Sequence, residues 1–221
     1  MKNLISLTVL FLFSTSICAQ KNSKYNTIDK NISKFESRWD GSISYGNTIF
    51  IGDLSKTSTT KYLPNVALAI KFNKEYNPET SLQLSIITGK NSGENAPTST
   101  NIASINFRSQ YTQGYIAYRK AITPTGIQIP QLHLHAGIGF YYADASRTWT
   151  LNGAVAELSD EVSSLVFPLG LELSYYFKEE WGMVLGVSNN IFSRDNIDLY
   201  ESSDNIDQQL IINLGICYSF N

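Results

Sequence analysis

The stretch from Ser164 to Phe192 reads SLVFPLGLELSYYFKEEWGMVLGVSNNIF. Leu165, Phe167, Leu169, Leu171, Leu173, Tyr175 and Phe177 take alternate positions, with Val166, Pro168, Gly170, Glu172, Ser174 and Tyr176 between them. A period of two puts the large apolar set on one face of a strand and the mostly small or polar set on the other. After the charged turn Lys178 to Glu180, Trp181, Met183, Leu185 and Val187 alternate with Gly182, Val184, Gly186 and Ser188, so a second strand runs back and closes a hairpin. Each strand reaches the length of about ten residues that a tilted strand needs to cross a bilayer, and the aromatics gather at the turn as an interface girdle would.

The same rule extends in both directions. Toward the C-terminus, Ser193 to Asp207 reads as an acidic loop, and a last strand sets Leu210, Ile212, Leu214, Ile216, Tyr218 and Phe220 against Ile211, Asn213, Gly215, Cys217 and Ser219. Toward the N-terminus, a strand carries Leu132, Leu134, Ala136, Ile138, Phe140 and Tyr142 opposite His133, His135, Gly137, Gly139 and Tyr141, and Ala143 to Val162 after it reads as a long loop with room for some structure of its own. Earlier strands hold Trp39 to Ile51, Val66 to Phe72, Leu82 to Ile86 and about Ser104 to Tyr118, the last setting Ile105, Phe107 and Tyr111 on the apolar face against Asn106, Arg108 and Gln110, with a break in phase near Gln113-Gly114 that suggests a bulge. The connections are Ser55 to Lys61, Asn73 to Thr80, the polar Gly89 to Thr100 and the Pro/Gly segment Lys120 to Gln131. The expected fold is all-β: an eight-stranded, antiparallel, up-and-down transmembrane β-barrel behind an N-terminal signal peptide. Connections alternate between long on one side and shorter on the other, as external loops and periplasmic turns do.

A soluble eight-stranded barrel of lipocalin type would turn the same apolar face inward around a ligand. The opposite face argues against it, because its Gly, Ser and Asn residues would make a poor water-facing surface. The expected localisation is therefore the cell outer membrane, with the Trp39, Tyr175, Phe177, Trp181, Tyr218 and Phe220 side chains at the interface.

Composition agrees with one domain. The chain has 221 residues, 43 % hydrophobic and 12 % aromatic, and a net charge of -2 with no basic cluster in the mature part, so nucleic acid is not an expected partner. Lys2, the apolar run Leu4 to Phe13 and Cys18-Ala19-Gln20 form a secretory signal peptide over residues 1–20. Ile17 and Thr15 do not fit a lipidation signal at Cys18. Residues 21–37 are a polar, flexible periplasmic lead-in, and 38–221 form the barrel domain. With Cys18 removed, Cys217 has no partner for an intramolecular disulfide.

Eight strands leave a lumen only wide enough for side chains. The expected inward set includes Lys71, Arg108, His133, His135, Glu172, Gln209 and Asn213, a polar plug in which Glu172 pairs with Arg108 or Lys71. His133 and His135 are the two histidines of the chain and stand on one strand face. No third ligand is assignable near them, so lumen histidines are expected and no metal or other cofactor. A lipid-modifying barrel enzyme needs a hydroxyl nucleophile with a histidine base; Ser188-Asn189 has no histidine beside it, and no catalytic residue is assigned. Asp195, Asp198, Glu201, Asp204 and Asp207 in the last loop, and Glu157, Asp160 and Glu161 in the third, read as solvated acidic loops. They lack the Gly and terminal Glu of a calcium loop.

Several short motifs run through these strands: Gly46 with Ile51-Gly52-Asp53-Leu54, Ser81-Leu82-Gln83-Leu84-Ser85 leading to Thr88-Gly89-Lys90, Ile105-Asn106-Phe107-Arg108-Ser109, Val166-Phe167-Pro168-Leu169-Gly170, and Arg194-Asp195-Asn196-Ile197-Asp198-Leu199-Tyr200. In them the chain resembles the small outer-membrane barrels of Bacteroidetes-type bacteria, the OmpA-like or outer membrane protein beta-barrel domain group, and within it a type IX secretion-associated barrel family. The family's aromatic-Gly-Asp is Ile51-Gly52-Asp53 here. The terminal Tyr218-Ser219-Phe220-Asn221 resembles the signal read by the barrel assembly machinery. The resemblance implies a non-enzymatic barrel serving as an envelope anchor or assembly partner. Its partners would be outer-membrane lipid and lipopolysaccharide, the assembly machinery during biogenesis, and periplasmic or secretion-apparatus proteins reached through Lys21 to Ser37 or Lys120 to Gln131. The alternative is a stand-alone surface barrel whose acidic loops serve adhesion or envelope integrity.

Overall fold

A computed structural model describes residues 38–52, 65–95, 104–123, 129–151, 154–199 and 206–220. The segments expected to form a signal peptide and a lead-in, residues 1–20 and 21–37, lie outside the described residues. Eight strands follow in chain order: β1 (Trp39–Ile51), β2 (Asn65–Asn77), β3 (Thr80–Asn95), β4 (Ser104–Ala121), β5 (Gln131–Leu151), β6 (Ala154–Tyr176), β7 (Trp181–Phe192) and β8 (Gln208–Phe220). Each pairs antiparallel with its neighbours in sequence, and β1 pairs with β8 from Trp39↔Phe220 to Ile51↔Gln208, so the sheet closes on itself. Closure satisfies the backbone of both terminal strands, which a membrane demands because lipid offers no hydrogen bonds.

The outward rows are apolar on every strand. Ile43, Leu68, Ile86, Ile116, Ile138, Leu169, Leu185 and Leu214, one from each strand, are each at least 43 % exposed. In water this continuous belt would exceed any patch a soluble monomer tolerates; in a bilayer it is the solvated surface. The structure therefore resolves the choice that periodicity left open, and the apolar face points out.

Four sequence expectations change. The expected bulge near Gly114 is absent: register runs unbroken from Thr80↔Lys120 to Asn95↔Ile105, and likewise against β5. What alters there is the content of the lumen. Toward the short turns the inward residues Ala117 and Arg119 are small or polar, whereas Phe107, Tyr111 and Tyr115 turn inward on the other side of them and Arg108 and Gln110 turn out. The break in phase was a change of lumen lining, which alternation alone cannot tell from a bulge. The register irregularity that does occur lies between Glu75 and Asn77.

The connection expected over Asn73 to Thr80 is shorter, because the Asn77 side-chain oxygen accepts the amide N–H groups of Glu79 (2.9 Å) and Thr80 (2.8 Å) and closes a tight turn. The expected loops at Gly89 to Thr100 and Ala143 to Val162 are partly strand. β3 continues to Asn95, and β5 and β6 form one ladder out to Leu151↔Ala154. These extensions carry polar and small residues on both faces, so they lack the alternation that marks the membrane-crossing parts.

Pro168 sits within β6, and its missing N–H is placed on the side toward β5. Pairing there stops at Ala136↔Leu169 and resumes in the same register at Gly139↔Val166.

Candidate functional site

The lumen is built in two layers. In the half nearer the short turns, inward positions of β1 to β8 supply charged and amide side chains. Lys71 on β2 donates to Glu172 Oε2 on β6 at 2.7 Å, and Arg119 Nη2 on β4 lies 2.9 Å from Glu172 Oε1. All three are at most 3 % exposed. Both cations face the Glu172 carboxylate, and the buried Asp40 carboxyl interacts with Arg119 as well. Arg119 Nη2 also donates to His133 Nδ1 at 3.0 Å, which fixes that nitrogen as the acceptor. Around this centre Asn73 donates to Asp40 (2.6 Å) and Asn213 donates to Ser44 (3.0 Å). Two glycines make the arrangement possible. A Cβ on Gly186 would stand 2.3 Å from the Asn213 oxygen, and one on Gly170 would stand 2.7 Å from the His135 ring.

The half nearer the long connections is aromatic. Phe50 and Phe107 have ring centroids 5.4 Å apart, Tyr111 stacks on Tyr141 at 5.4 Å, and Phe192 meets Tyr141 edge-on at 4.7 Å. Asn91 bridges the layer: it donates to the Tyr141 hydroxyl (3.1 Å) and accepts from Gln209 (2.8 Å) and Thr48 (3.2 Å). Aromatic rings fill this width because each buries a large area and interlocks edge to face.

The described parts of the β7–β8 connection, 193–199 and 206–207, pack into the mouth of the barrel. Ile197 and Asp198 are fully buried, Asp207 accepts the Ile197 amide at 2.8 Å, and Arg147 donates to the Leu199 carbonyl. Leu199 has φ 57°, a left-handed conformation that its sequence did not signal. Asp198 and Asp207 were expected in a solvated loop; they are instead buried parts of these segments, while Glu201 and Asp204 lie outside the described residues.

Of the residues singled out in the sequence, Lys71, Glu172, His133 and His135 face the lumen, and Gln209 and Asn213 line it as well. Arg108 does not. It is exposed on the outer face of β4 above the apolar belt, and Arg119 holds the place by Glu172. Arg119 was missed because Tyr118 and Lys120 on either side gave no alternation to show which way it pointed. The outer aromatic set Trp39, Tyr175, Phe177, Trp181, Tyr218 and Phe220 lies at the end with the short turns. There Trp181, Tyr218 and Phe220 pack edge-on in series at 4.9 and 5.0 Å. Tyr76 and Tyr118 join that end from β2 and β4. Lys74 Nζ stands 5.0 Å over the Trp39 ring, with its stem along the apolar surface and its charge at the edge.

On the opposite side, the strands end at unequal heights. β1, β2, β7 and β8 stop near Ile51, Asn65, Phe192 and Gln208, whereas β3 to β6 continue as a one-sided wall to Asn95, Ser104, Leu151 and Ala154. From Asp144, the first polar outward residue after Tyr142, β5 runs on for roughly 25 Å of strand at about 3.3 Å per residue. Among the described residues, no three His, Cys, Asp or Glu side chains converge as a metal site would require.

No protein-family model matches the chain, and no curated protein matches it. Among solved structures it is similar to a major outer membrane protein from Thermus thermophilus, at 11% identity and TM-score 0.49 over 82% of this chain and 99% of that one. It is also similar to Ail, the attachment invasion locus protein of Yersinia pestis, in complex with the heparin analogue sucrose octasulfate, at 16% identity and TM-score 0.47 over 84% and 100%. A third is the N-terminal barrel domain of Pseudomonas aeruginosa OprF, at 12% identity and TM-score 0.39 over 84% and 100%. The closed antiparallel sheet, its apolar exterior and its filled interior make the chain an integral β-barrel protein of the outer membrane.

Proposed function

We propose that the chain is a non-enzymatic outer-membrane anchor, an envelope assembly partner that acts through the surfaces it presents rather than through its lumen. The observation that carries this reading is the filled interior: the Lys71–Glu172–Arg119 layer and the Tyr111–Tyr141–Phe192 layer stand one above the other across the bore. With the bore filled, function is left to the exterior. The belt and its aromatic girdle take outer-membrane lipid, with lipopolysaccharide at the external edge, and the terminal aromatic strand serves delivery by the barrel assembly machinery. The wall of β3 to β6 then stands on the external side as a platform for protein contacts.

Deletion of the gene, followed by comparison of secreted and surface-held proteins with those of the parent strain and of the deletion complemented by the intact gene, tests this. The expected result is a changed set of surface-held proteins. Loss of a whole cargo class from the medium would assign the anchor to the type IX secretion apparatus. An unaltered surface and medium would overturn the reading.

A further inference from the structure

β6 is paired on both sides only over part of its length. Against β5 the ladder runs to Leu151↔Ala154, but against β7 it ends at Val166↔Phe192. The last contact on the β7 side is the Ser193 amide donating to the Leu165 carbonyl at 3.0 Å, with the Ser164 and Ser193 hydroxyls 3.1 Å apart. Beyond it, among the described residues, the edge from Ala154 to Ser163 has no strand beside it. Since the Leu165 carbonyl points to that side, Val155, Glu157, Ser159, Glu161 and Ser163 present their N–H and C=O groups along the free edge. Two of the usual bars to pairing are missing: the edge contains no proline, and its register with β5 is free of bulges.

We propose that this edge is a docking site for an extended, basic segment of a partner protein, which adds to the sheet as a further strand. The inference rests on the reading of the barrel as a surface anchor and deepens it. Side-chain chemistry selects the partner. Glu157 and Glu161 stand on the outer face of the edge, and Asp160 with Leu158 on the inner face; Val155 is 67 % and Leu158 42 % exposed. A strand laid alongside meets Glu157 and Glu161 at alternate positions on the outer face, and Ala156, Leu158 and Asp160 on the inner face, so it binds best with Lys or Arg alternating with β-branched residues. A second copy of this chain is disfavoured as the occupant, because its own edge would set Glu157, Asp160 and Glu161 against acidic residues of the same kind. The backbone ladder supplies affinity, and the carboxylates supply choice of partner.

The test uses the full mature protein in zwitterionic nanodiscs, with blocked Lys–Val and Glu–Val repeat peptides as probes. The Lys–Val peptide is expected to bind and to slow amide exchange along residues 154–163, while the Glu–Val peptide does not. Ser159→Pro removes an N–H from the free edge while leaving the β5 ladder intact, and is expected to weaken binding at least about tenfold with the barrel still folded, as its heat-modifiable gel mobility reports. Glu157→Lys with Glu161→Lys is expected to transfer preference to the Glu–Val peptide, and it keeps the test valid should the proline variant fail to fold. Absence of Lys–Val binding, equal binding of both peptides, or binding indifferent to Ser159→Pro in a folded barrel would overturn the docking site. None of these outcomes bears on the surface-anchor reading, which the gene deletion tests separately.

Discussion

Glu172→Gln is expected to destabilise the barrel by about 3–5 kcal/mol, because it leaves the Lys71 and Arg119 cations buried without their counter-charge. The cost exceeds that of a lost hydrogen bond, since desolvation of both cations is no longer offset. Urea titration of the refolded protein in lipid vesicles, read by tryptophan fluorescence, measures it. Arg108→Ala serves as the control: this side chain is exposed on the outer face, and its loss should leave the midpoint where a surface substitution leaves it. Replacing Lys71, Arg119 and Glu172 together by Met, Met and Leu should recover most of the loss, since an apolar layer of similar volume needs no compensation. A midpoint that responds to Arg108 and ignores Glu172 would contradict the lumen arrangement.

The second large effect lies on the outer face. Leu169→Arg, in the middle of the β6 belt, is expected to cost about 2–4 kcal/mol when the barrel is folded into a bilayer, falling toward zero for the same change near the interfaces. The same titration across outward positions of β6, from Leu173 through Leu169 to Leu165, should give a depth profile with its maximum in the middle. A soluble barrel would show no such maximum, because each of these positions would meet the same medium.

These two effects also show what the sequence made legible. The alternation from Leu165 to Val187 was readable because lipid on one side and a narrow bore on the other demand different side chains at every step. Strand order, closure and the facing of Lys71, Glu172, His133 and His135 follow from it. Where the two environments cease to differ, the pattern fails. Beyond Ala145 and Val162 both faces of β5 and β6 are open, so Ala143 to Val162 read as a loop although the two strands pair out to Leu151↔Ala154. In the upper lumen, aromatics fill the bore, so inward Phe107 and Tyr111 looked like outward lipid-facing residues and Arg108 was assigned to the interior in place of Arg119. The burial of Asp198 and Asp207 under the mouth depends on contacts across the barrel that no local period records.

The filled bore is the claim on which the rest stands, and planar-bilayer recording of the purified protein tests it most directly. The ionic layer at Glu172 and the stacked Tyr111, Tyr141 and Phe192 rings predict no large, resolved conductance steps at any protein concentration that inserts barrels. Large, uniform steps that persist after repurification would contradict it, and would make the lumen rather than the surface the working part of the molecule.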